Sequence, residues 1–574
     1  MKNAFLQEFW ELFKGYWNSE EKWRARGLLT VVILLNFAVV YALVLLNKWN
    51  NDFYNALQNY KLELFLPLIG KFALIAFSYI VVAVYAMYLR QMLQIRWRIW
   101  MTNRYMNKWM KNQVYYKMQI LTSDMDNPDQ RISEDINQFV TLTLQLTLGG
   151  LKQFTTLIAF VVILWTLSGA LEFSVAGYSF TIYGYMVWLS LVYAIVGTFL
   201  THRVGRKLIR LNFDQQRYEA NFRFNMMRVR ENSESVAFYG GEEPEQNGFK
   251  ERFADVIKNY WSLIRREKAL SWFTSGYGQT AIIVPILLAA PRYFTGKMQL
   301  GGFTQTIGAF GNVQDALSYI IDSYTSIAQL TAVIHRLDGF RHHMEEAQNI
   351  TSDIQYTDKG EVFNVENLQV KLPAGTVLLE DCSLTLKPGE YLLITGNSGC
   401  GKSTLLRTLA GLWPFGGGKL DVPKGSHCLF LPQRPYLPLG SLRQAICYPK
   451  SRVQATDEEL CRLLNLCHLV QFIDKLDVVD DWSHILSLGE QQRIAFARIL
   501  LVKPDWAFLD ESTSALDEPL EKAMYELLHR ELPQTAVVSV GHHSTLLGQH
   551  EKNLQLKGNG DWQLQAIHES GIFL

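Results

Sequence analysis

Cysteine is missing from the first 381 residues. The first is Cys382, and the other five (Cys400, Cys428, Cys447, Cys461 and Cys467) follow without a Cys-x-x-Cys spacing. That pattern argues against a zinc site, and thiols confined to one half of the chain fit reduced side chains in a cytosol. Net charge is missing too. At +1 over 574 residues, neither a polyanion-binding face nor an acidic tail is expected, and no nucleic-acid partner. Nor does the N-terminus read as a cleavable signal. In FLQEFWELFKGYW (Phe5 to Trp17) apolar residues recur at near-helical spacing, with Glu8, Glu11 and Lys14 between them. The expectation is an amphipathic helix lying at a membrane surface, against a helix packed on the protein as the competing reading.

What is plentiful is apolar length. Hydrophobic residues make up 49% of the chain, and the long runs lie before about residue 350. Six stretches of about 20 to 30 residues are long enough to cross a hydrocarbon core of about 30 Å. They begin near Leu28, Phe65, Phe139, Ser179, Thr274 and Gly301, the last being the least apolar. Basic residues crowd the second connection (Arg90, Arg96, Arg98, Arg104, Lys108, Lys111, Lys117, Arg131) and the fourth (Arg203, Arg206, Lys207, Arg210, Arg265, Arg266, Lys268). Both connections, and both chain ends with them, are therefore expected on the cytoplasmic side of a lipid bilayer.

The two basic connections are helical in pattern, and each is broken by a polar turn. These are DMDNPDQRISEDI (Asp124 to Ile136) and SESVAFYGGEEPE (Ser233 to Glu245). Two long hairpins projecting from the bilayer would carry these breaks at their tips. Within the spans, Asp315, Asp322 and Gln329 share one helix face, and Gln305 and Asn312 form a second pair. Intramembrane acids are costly, so this face either lines a substrate cavity or, for Asp322 and Gln329, already lies outside the membrane. Lys71 is placed to snorkel to the headgroups, and Lys152 raises the question of an inward-facing role.

Beyond a linker at residues 351–360 the pattern turns to short β-like runs. Gly396-Asn397-Ser398-Gly399-Cys400-Gly401-Lys402-Ser403, followed by Thr404, fits GxxxxGK[ST] between a strand and an apolar helix. Backbone N–H groups of such a loop cradle phosphates, Lys402 reaches the β- and γ-phosphates, and the Ser403 hydroxyl suits Mg²⁺. An apolar strand, Trp506 to Leu509, ends in Asp510 and Glu511, a metal-side carboxylate and a neighbour able to polarise water.

Between these lies Leu486-Ser487-Leu488-Gly489-Glu490-Gln491-Gln492-Arg493, which resembles the signature of ABC ATPases. That resemblance identifies Gln433 as the Q-loop glutamine and a metal-side ligand, Ser514 to Asp517 as the D-loop, and His542 as the switch histidine. It implies ATP and Mg²⁺ as cofactors, Glu511, His542, Gln433 and Lys402 as the catalytic set, and Asp510 as a metal ligand. It also implies that Ser487, Gly489 and Glu490 meet the nucleotide held by a second copy, so that the working unit is a homodimer. Two departures stand out. Leu488 and Glu490 replace the usual glycine and glutamine of the signature, and the stretch Leu368 to Gly375 lacks the aromatic expected to stack on adenine.

One membrane half fused to one ATPase half resembles an ABC half-transporter. The expected fold is a six-span α-helical domain of exporter type (residues 1–350) joined to an α/β P-loop ATPase domain (361–574). NPDQRISEDI, VAFYGG, Leu412-Trp413-Pro414 and LSLGEQQR narrow the resemblance to the SbmA/BacA-like family, bacterial relatives of the peroxisomal fatty-acyl transporters. It implies a bacterial inner-membrane importer of hydrophilic cargo (cobalamin, bleomycin or peptides) working by alternating access. The rivals are transport of fatty acids or acyl-CoA, and an ATP-gated channel. On the same resemblance, the Ser233 to Glu245 segment is a coupling element that docks through Phe238 and Tyr239 on the opposite ATPase domain.

Overall fold

The computed structural model describes residues 2–121, 127–175, 178–360, 362–449 and 455–567. The chain divides into two compact units. One holds Met1–Tyr115 and Asp124–Glu345; the other holds Tyr116–Ser123 and Glu346–Leu574.

The first unit is a bundle of long helices. They are α1 (Lys2–Trp17), α2 (Lys22–Gln58), α3 (Leu62–Met110), α4 (Val114–Leu121, crossing into the second unit), α5 (Pro128–Gln130) and, after a π-helical turn at Arg131–Asp135, α6 (Ile136–Ser168). Then come α7 (Tyr185–Glu231), α8 (Ser233–Tyr239), α9 (Glu242–Phe294), α10 (Leu300–Asp322) and α11 (Tyr324–Gln348). Five of the long helices have the length and apolarity to cross a membrane. The expected sixth, α10, is a helix of 23 residues but falls outside that set. Its Gln305, Asn312, Gln314 and Asp315 dilute the apolar run, and burial inside the bundle compensates. Ala309, Phe310 and Val313 of α10 are fully buried in a core shared with Phe160 and Leu164 of α6, Met186 of α7 and Ala289 of α9. Side chains of α2 also satisfy the exposed amides at the start of α10. Gln58 Oε1 accepts from Leu300 N (2.6 Å) and Asn55 Oδ1 from Gly301 N (2.9 Å).

Three expectations need correction here. The fourth span does not begin near Ser179: β1 (Ala170–Val175) and β2 (Tyr178–Tyr183) pair there as an antiparallel hairpin, and the helix starts at Tyr185. β-branched and aromatic residues at alternate positions favour the strand, and Gly184, at φ +63°, breaks it. Second, α1 does not simply lie on a membrane surface. Its Leu12, Tyr16 and Trp17 are buried, Tyr16 stacks on Trp97 of α3, and Glu8 and Glu11 pair with His335 (2.8 Å) and Arg341 (2.8 Å) of α11. Leu6 and Trp10 remain exposed on its other side. Third, the first polar break is largely helical. Asp124–Asp126 lie outside the described residues, but Pro128 starts a helix and Asp135, buried, pairs with Arg131 (2.8 Å) and bidentately with Arg336 (2.9 and 2.6 Å).

The second unit is α/β. A six-stranded sheet runs in the order β14-β13-β6-β12-β11-β8, and a four-stranded sheet in the order β3-β7-β4-β5. The ranges are β3 (Ile354–Gly360), β4 (Phe363–Lys371), β5 (Val377–Leu386), β6 (Tyr391–Gly396), β7 (Gly416–Pro423) and β8 (Cys428–Leu431). A two-residue ladder joins β9 (Gly440–Ser441) to β10 (Val479–Asp480), and β11 (Trp506–Asp510), β12 (Ala536–Val540), β13 (Lys552–Gly558) and β14 (Asp561–Ala566) complete the set. The residues expected as a linker at 351–360 therefore carry β3, which pairs in parallel with β7. Strands β6, β12 and β11 are buried along nearly their whole length, as continuous apolar runs in a parallel sheet require. Within this unit Ile120, from the tip of the first hairpin, packs on the core between the sheets.

Candidate active site

Strands β6 and β11 run in the same direction on either side of β12, so their C-terminal ends open at one edge of the sheet. The loop after β6 turns through Gly396 (φ +148°), Gly399 (φ +83°) and Gly401 (φ +105°), a conformation only glycine adopts readily. Asn397, Ser398 and Gly399 are exposed on the turn, Cys400 is half-buried, and the helix Lys402–Leu409 starts directly after it. The buried Lys402 curls back, its Nζ donating to the carbonyls of Gly396 (2.8 Å) and Asn397 (3.1 Å). Thr404 points its carbonyl at Thr408 Oγ1 inside the helix.

At the end of β11, Ser403 Oγ donates to Asp510 Oδ1 at 3.0 Å. Burial holds the Asp510 carboxyl above its ordinary value, and the Ser403 hydroxyl pulls it part of the way back. A hydroxyl and a carboxylate converging this way are an all-oxygen donor set, which suits a hard cation such as Mg²⁺. The next residue, Glu511, has φ +46°, a left-handed conformation unusual outside glycine and typical of strained functional positions. Its carboxylate accepts from Gln433 Nε2 (2.8 Å) and lies 3.4 Å from His542 Nε2. Gln433 thus meets Glu511, not the Ser403–Asp510 pair to which it was also assigned. The neighbouring histidines diverge, His543 turning to the buried Glu521 at 3.2 Å.

The LSLGE turn forms a helix start. Ser487 is the N-cap of helix Leu488–Val502 in a capping box, its hydroxyl donating to Glu490 Oε2 (2.9 Å) and accepting from Glu490 N (3.3 Å). Glu490 at the place of the usual glutamine therefore strengthens this helix end. Gly489 packs closely, since a Cβ there would lie 3.0 Å from the Ala515 carbonyl of the D-loop. Among the described residues, no hydrogen bond joins Ser487, Gly489 or Glu490 to the phosphate loop of the same chain.

Two residues to which the sequence assigned no role of their own hold the site together. Gln492, fully buried, donates to the carbonyls of Gln433 (3.2 Å) and Glu511 (3.4 Å) and to Ser514 Oγ (3.3 Å), and accepts from Ala515 N (3.0 Å). Glu521 accepts from Thr513 Oγ1 (2.6 Å) and from Thr545 Oγ1. Only their proximity in space distinguishes them from other polar helix residues. Asp517 caps the helix Glu518–Glu531 by accepting from Leu520 N at 3.0 Å. In the stretch Leu368 to Gly375, where adenine stacking was in question, Leu372 is partly buried against the core of this unit. Leu378 packs against Gly401 of the phosphate loop.

In the membrane unit, Asp315, Asp322 and Gln329 are exposed, and α10 ends at Asp322, so Gln329 belongs to the next helix. Gln329 lines a cavity of about 170 Å³ with Gln138, Asn212, Gln215, Gln216 and Arg336. Lys152 lines a different one.

Comparison with known proteins agrees with this architecture. Residues 12–294 match the family described as ABC transporter transmembrane region 2, and residues 379–514 the family described as ABC transporter. An ABC transporter ATP-binding protein of Haemophilus influenzae is 37% identical over 558 residues, covering 97% of this chain and 93% of its own. The inner membrane ABC transporter ATP-binding protein YddA of Escherichia coli is 34% identical, covering 92% and 94%. The human lysosomal cobalamin transporter ABCD4 is 27% identical, covering 98% and 96%. A bacterial Atm1-family ABC exporter with ATP bound superposes with a TM-score of 0.73 over 95% of this chain and 94% of its own, at 17% identity, a likeness of fold.

Proposed function

Because the chain belongs to the ABC transporter family, with an exporter-type membrane domain fused to an ABC ATPase domain, we propose that two copies form an ATP-driven importer of hydrophilic cargo. The observation that carries the ATP-driven part is the convergence of Gln433 and His542 on Glu511, one residue from the Ser403–Asp510 pair. Glu511 polarises the attacking water, His542 holds the developing charge, and Lys402 binds the β- and γ-phosphates. Ser403 and Asp510 would hold Mg²⁺, which when bound neutralises charge on the transferring phosphoryl group. One phosphate loop and one LSLGE turn per chain support a homodimer, with Ser487 and Gly489 of one copy closing over the nucleotide of the other. Closure then moves the helices between two states. We place the limit between the two domains near residue 350, a reading supported by the division of the chain at Glu346.

Hydrophilic cargo is supported by the side-chain amides of Gln138, Asn212, Gln215, Gln216 and Gln329 around one cavity, which Phe213, Ala328 and Ala332 line as well. The cobalamin transporter among the relatives points the same way, and the inner-membrane relative supports a bacterial inner-membrane location. A more specific place in the SbmA/BacA-like family rests on the short motifs alone.

The test is uptake into proteoliposomes of cobalamin, a peptide and an acyl-CoA, with and without ATP. ATP-dependent accumulation of cobalamin or peptide is expected. Accumulation of acyl-CoA alone would replace the cargo reading, and nucleotide-dependent conductance without accumulation would make the protein a channel.

A further inference from the structure

Between α2, α3 and α6 lies a cavity of about 190 Å³ whose lining includes Asn36, Tyr79, Met87, Arg90 and Lys152. Two cations share it and no acid does. Some basic groups of this unit have partners: Lys71 pairs with Asp52 (3.3 Å), Lys108 with Glu345 (4.0 Å), and Arg292 donates to the Leu167 and Ser168 carbonyls. Among the described residues, no ion pair or side-chain hydrogen bond engages Arg90 or Lys152, although each is half-buried. Two like charges sharing a pocket among apolar helices repel, and the low dielectric strengthens that repulsion unless an anion joins them.

Depth and direction narrow the identity of that anion. Arg90 lies about 25 residues past Phe65 on α3, toward the side that carries the basic connections, and Lys152 lies midway along α6, about 13 residues past Phe139. Side chains lean toward the N-terminus of their helix. Because α3 and α6 cross the membrane in opposite senses, Arg90 leans up and Lys152 down, toward one another. The lining is amphipathic in the way a lipid headgroup requires: Asn36 and Tyr79 add neutral donors, Val32 and Val39 form an apolar wall, and Met87 is 50% exposed.

We propose that this cavity binds the phosphate of an anionic phospholipid from the cytoplasmic leaflet, with Arg90 and Lys152 as its charged ligands. Basic pockets between membrane helices toward the cytoplasmic side recognise such headgroups. The site is separate from the amide-rich cavity proposed for cargo and stands whether or not that cargo assignment holds.

The test uses full-length protein in phosphatidylcholine nanodiscs with and without phosphatidylglycerol, with retained lipid counted by native mass spectrometry. Wild type is expected to retain phosphatidylglycerol selectively. R90Q/K152Q should lose it by roughly thirty-fold, the equivalent of about 1 kcal/mol per cation. R90K/K152R should keep it, and unchanged basal ATPase in both variants reports intact folding. Retention by R90Q/K152Q equal to wild type would overturn the proposal. So would displacement of the lipid by inorganic phosphate, which would make the ligand a soluble anion. Dissociation of R90Q/K152Q into single chains with lipid retention unaltered would instead assign the two cations to contacts with a second copy, and would also overturn it.

Discussion

The Glu511 carboxylate lies 3.4 Å from Nε2 of His542, and Glu511 holds that position with a left-handed backbone. β11 ends one residue earlier, and the amide of Glu511 donates to the Val540 carbonyl at 3.0 Å, so the turn is pinned from β12. The carboxylate is thus presented toward Gln433 and His542 by the backbone itself.

Replacing this carboxylate separates binding from hydrolysis. Glu511→Gln should bind ATP normally and hydrolyse it at least about a hundredfold more slowly, as for loss of a general base. Single-turnover hydrolysis and nucleotide binding on the same preparation check it, and near-normal turnover would remove Glu511 from the chemistry.

Asp135 offers a test in the membrane unit. Its side chain is 2% exposed and holds both Arg131 and Arg336. Asp135→Asn leaves two guanidinium groups without their carboxylate, a loss of about 3–5 kcal/mol for a broken buried pair. Thermal unfolding in detergent should show a clear drop, whereas substituting the exposed Asp129 should not.

His550 makes the ATPase domain sensitive to acid. Its Nδ1 donates to the Leu546 carbonyl (2.7 Å) and its Nε2 lies 2.9 Å from Ser539 Oγ, whose hydroxyl can donate to the neutral ring. Burial pushes its pKa down from 6.5 to about 4. Between those values the unfolded chain binds a proton that the folded one excludes. The His550 contribution is therefore full above about pH 6.5 and declines as pH falls toward 4, by up to about 3 kcal/mol. Unfolding followed at stepped pH should show this decline, and His550→Gln should flatten it.

The segment Ser233 to Glu245 tests coupling. Ser233–Tyr239 is itself a short helix, closed by Gly240 at φ +60°, and Phe238 and Tyr239 are 83% and 90% exposed. Two large exposed aromatics at a hairpin tip fit a docking contact with another surface. F238A/Y239A should keep basal ATPase and lose stimulation by cargo and cargo uptake together. Coupling that survives would make the segment a solvated turn.

Much of the site was legible because its chemistry is local in sequence. Gly396 to Ser403, Asp510–Glu511 and Ser487 to Glu490 each carry their geometry in consecutive residues, a turn, a strand end and a capping box. Gln492 and Glu521 were not legible, because their partners come from distant segments and nothing in a helical Gln or Glu announces burial. The same holds for motifs read as family marks. Trp413 of LWP is buried and donates to the Lys371 carbonyl (2.8 Å), and Asp135 of NPDQRISEDI anchors Arg336. Both are packing devices.

The sequence by itself determined the two-part plan, since apolar runs of membrane length and a GxxxxGK[ST] loop each leave few physical alternatives. Only the tertiary structure decided where marginal segments go. The hairpin at Ala170–Tyr183, the strand at Ile354–Gly360 and the seating of α1 on Trp97 all turn on partners remote in the chain. Strand pairing and aromatic packing are stabilised by what lies opposite, and that is set by the fold as a whole.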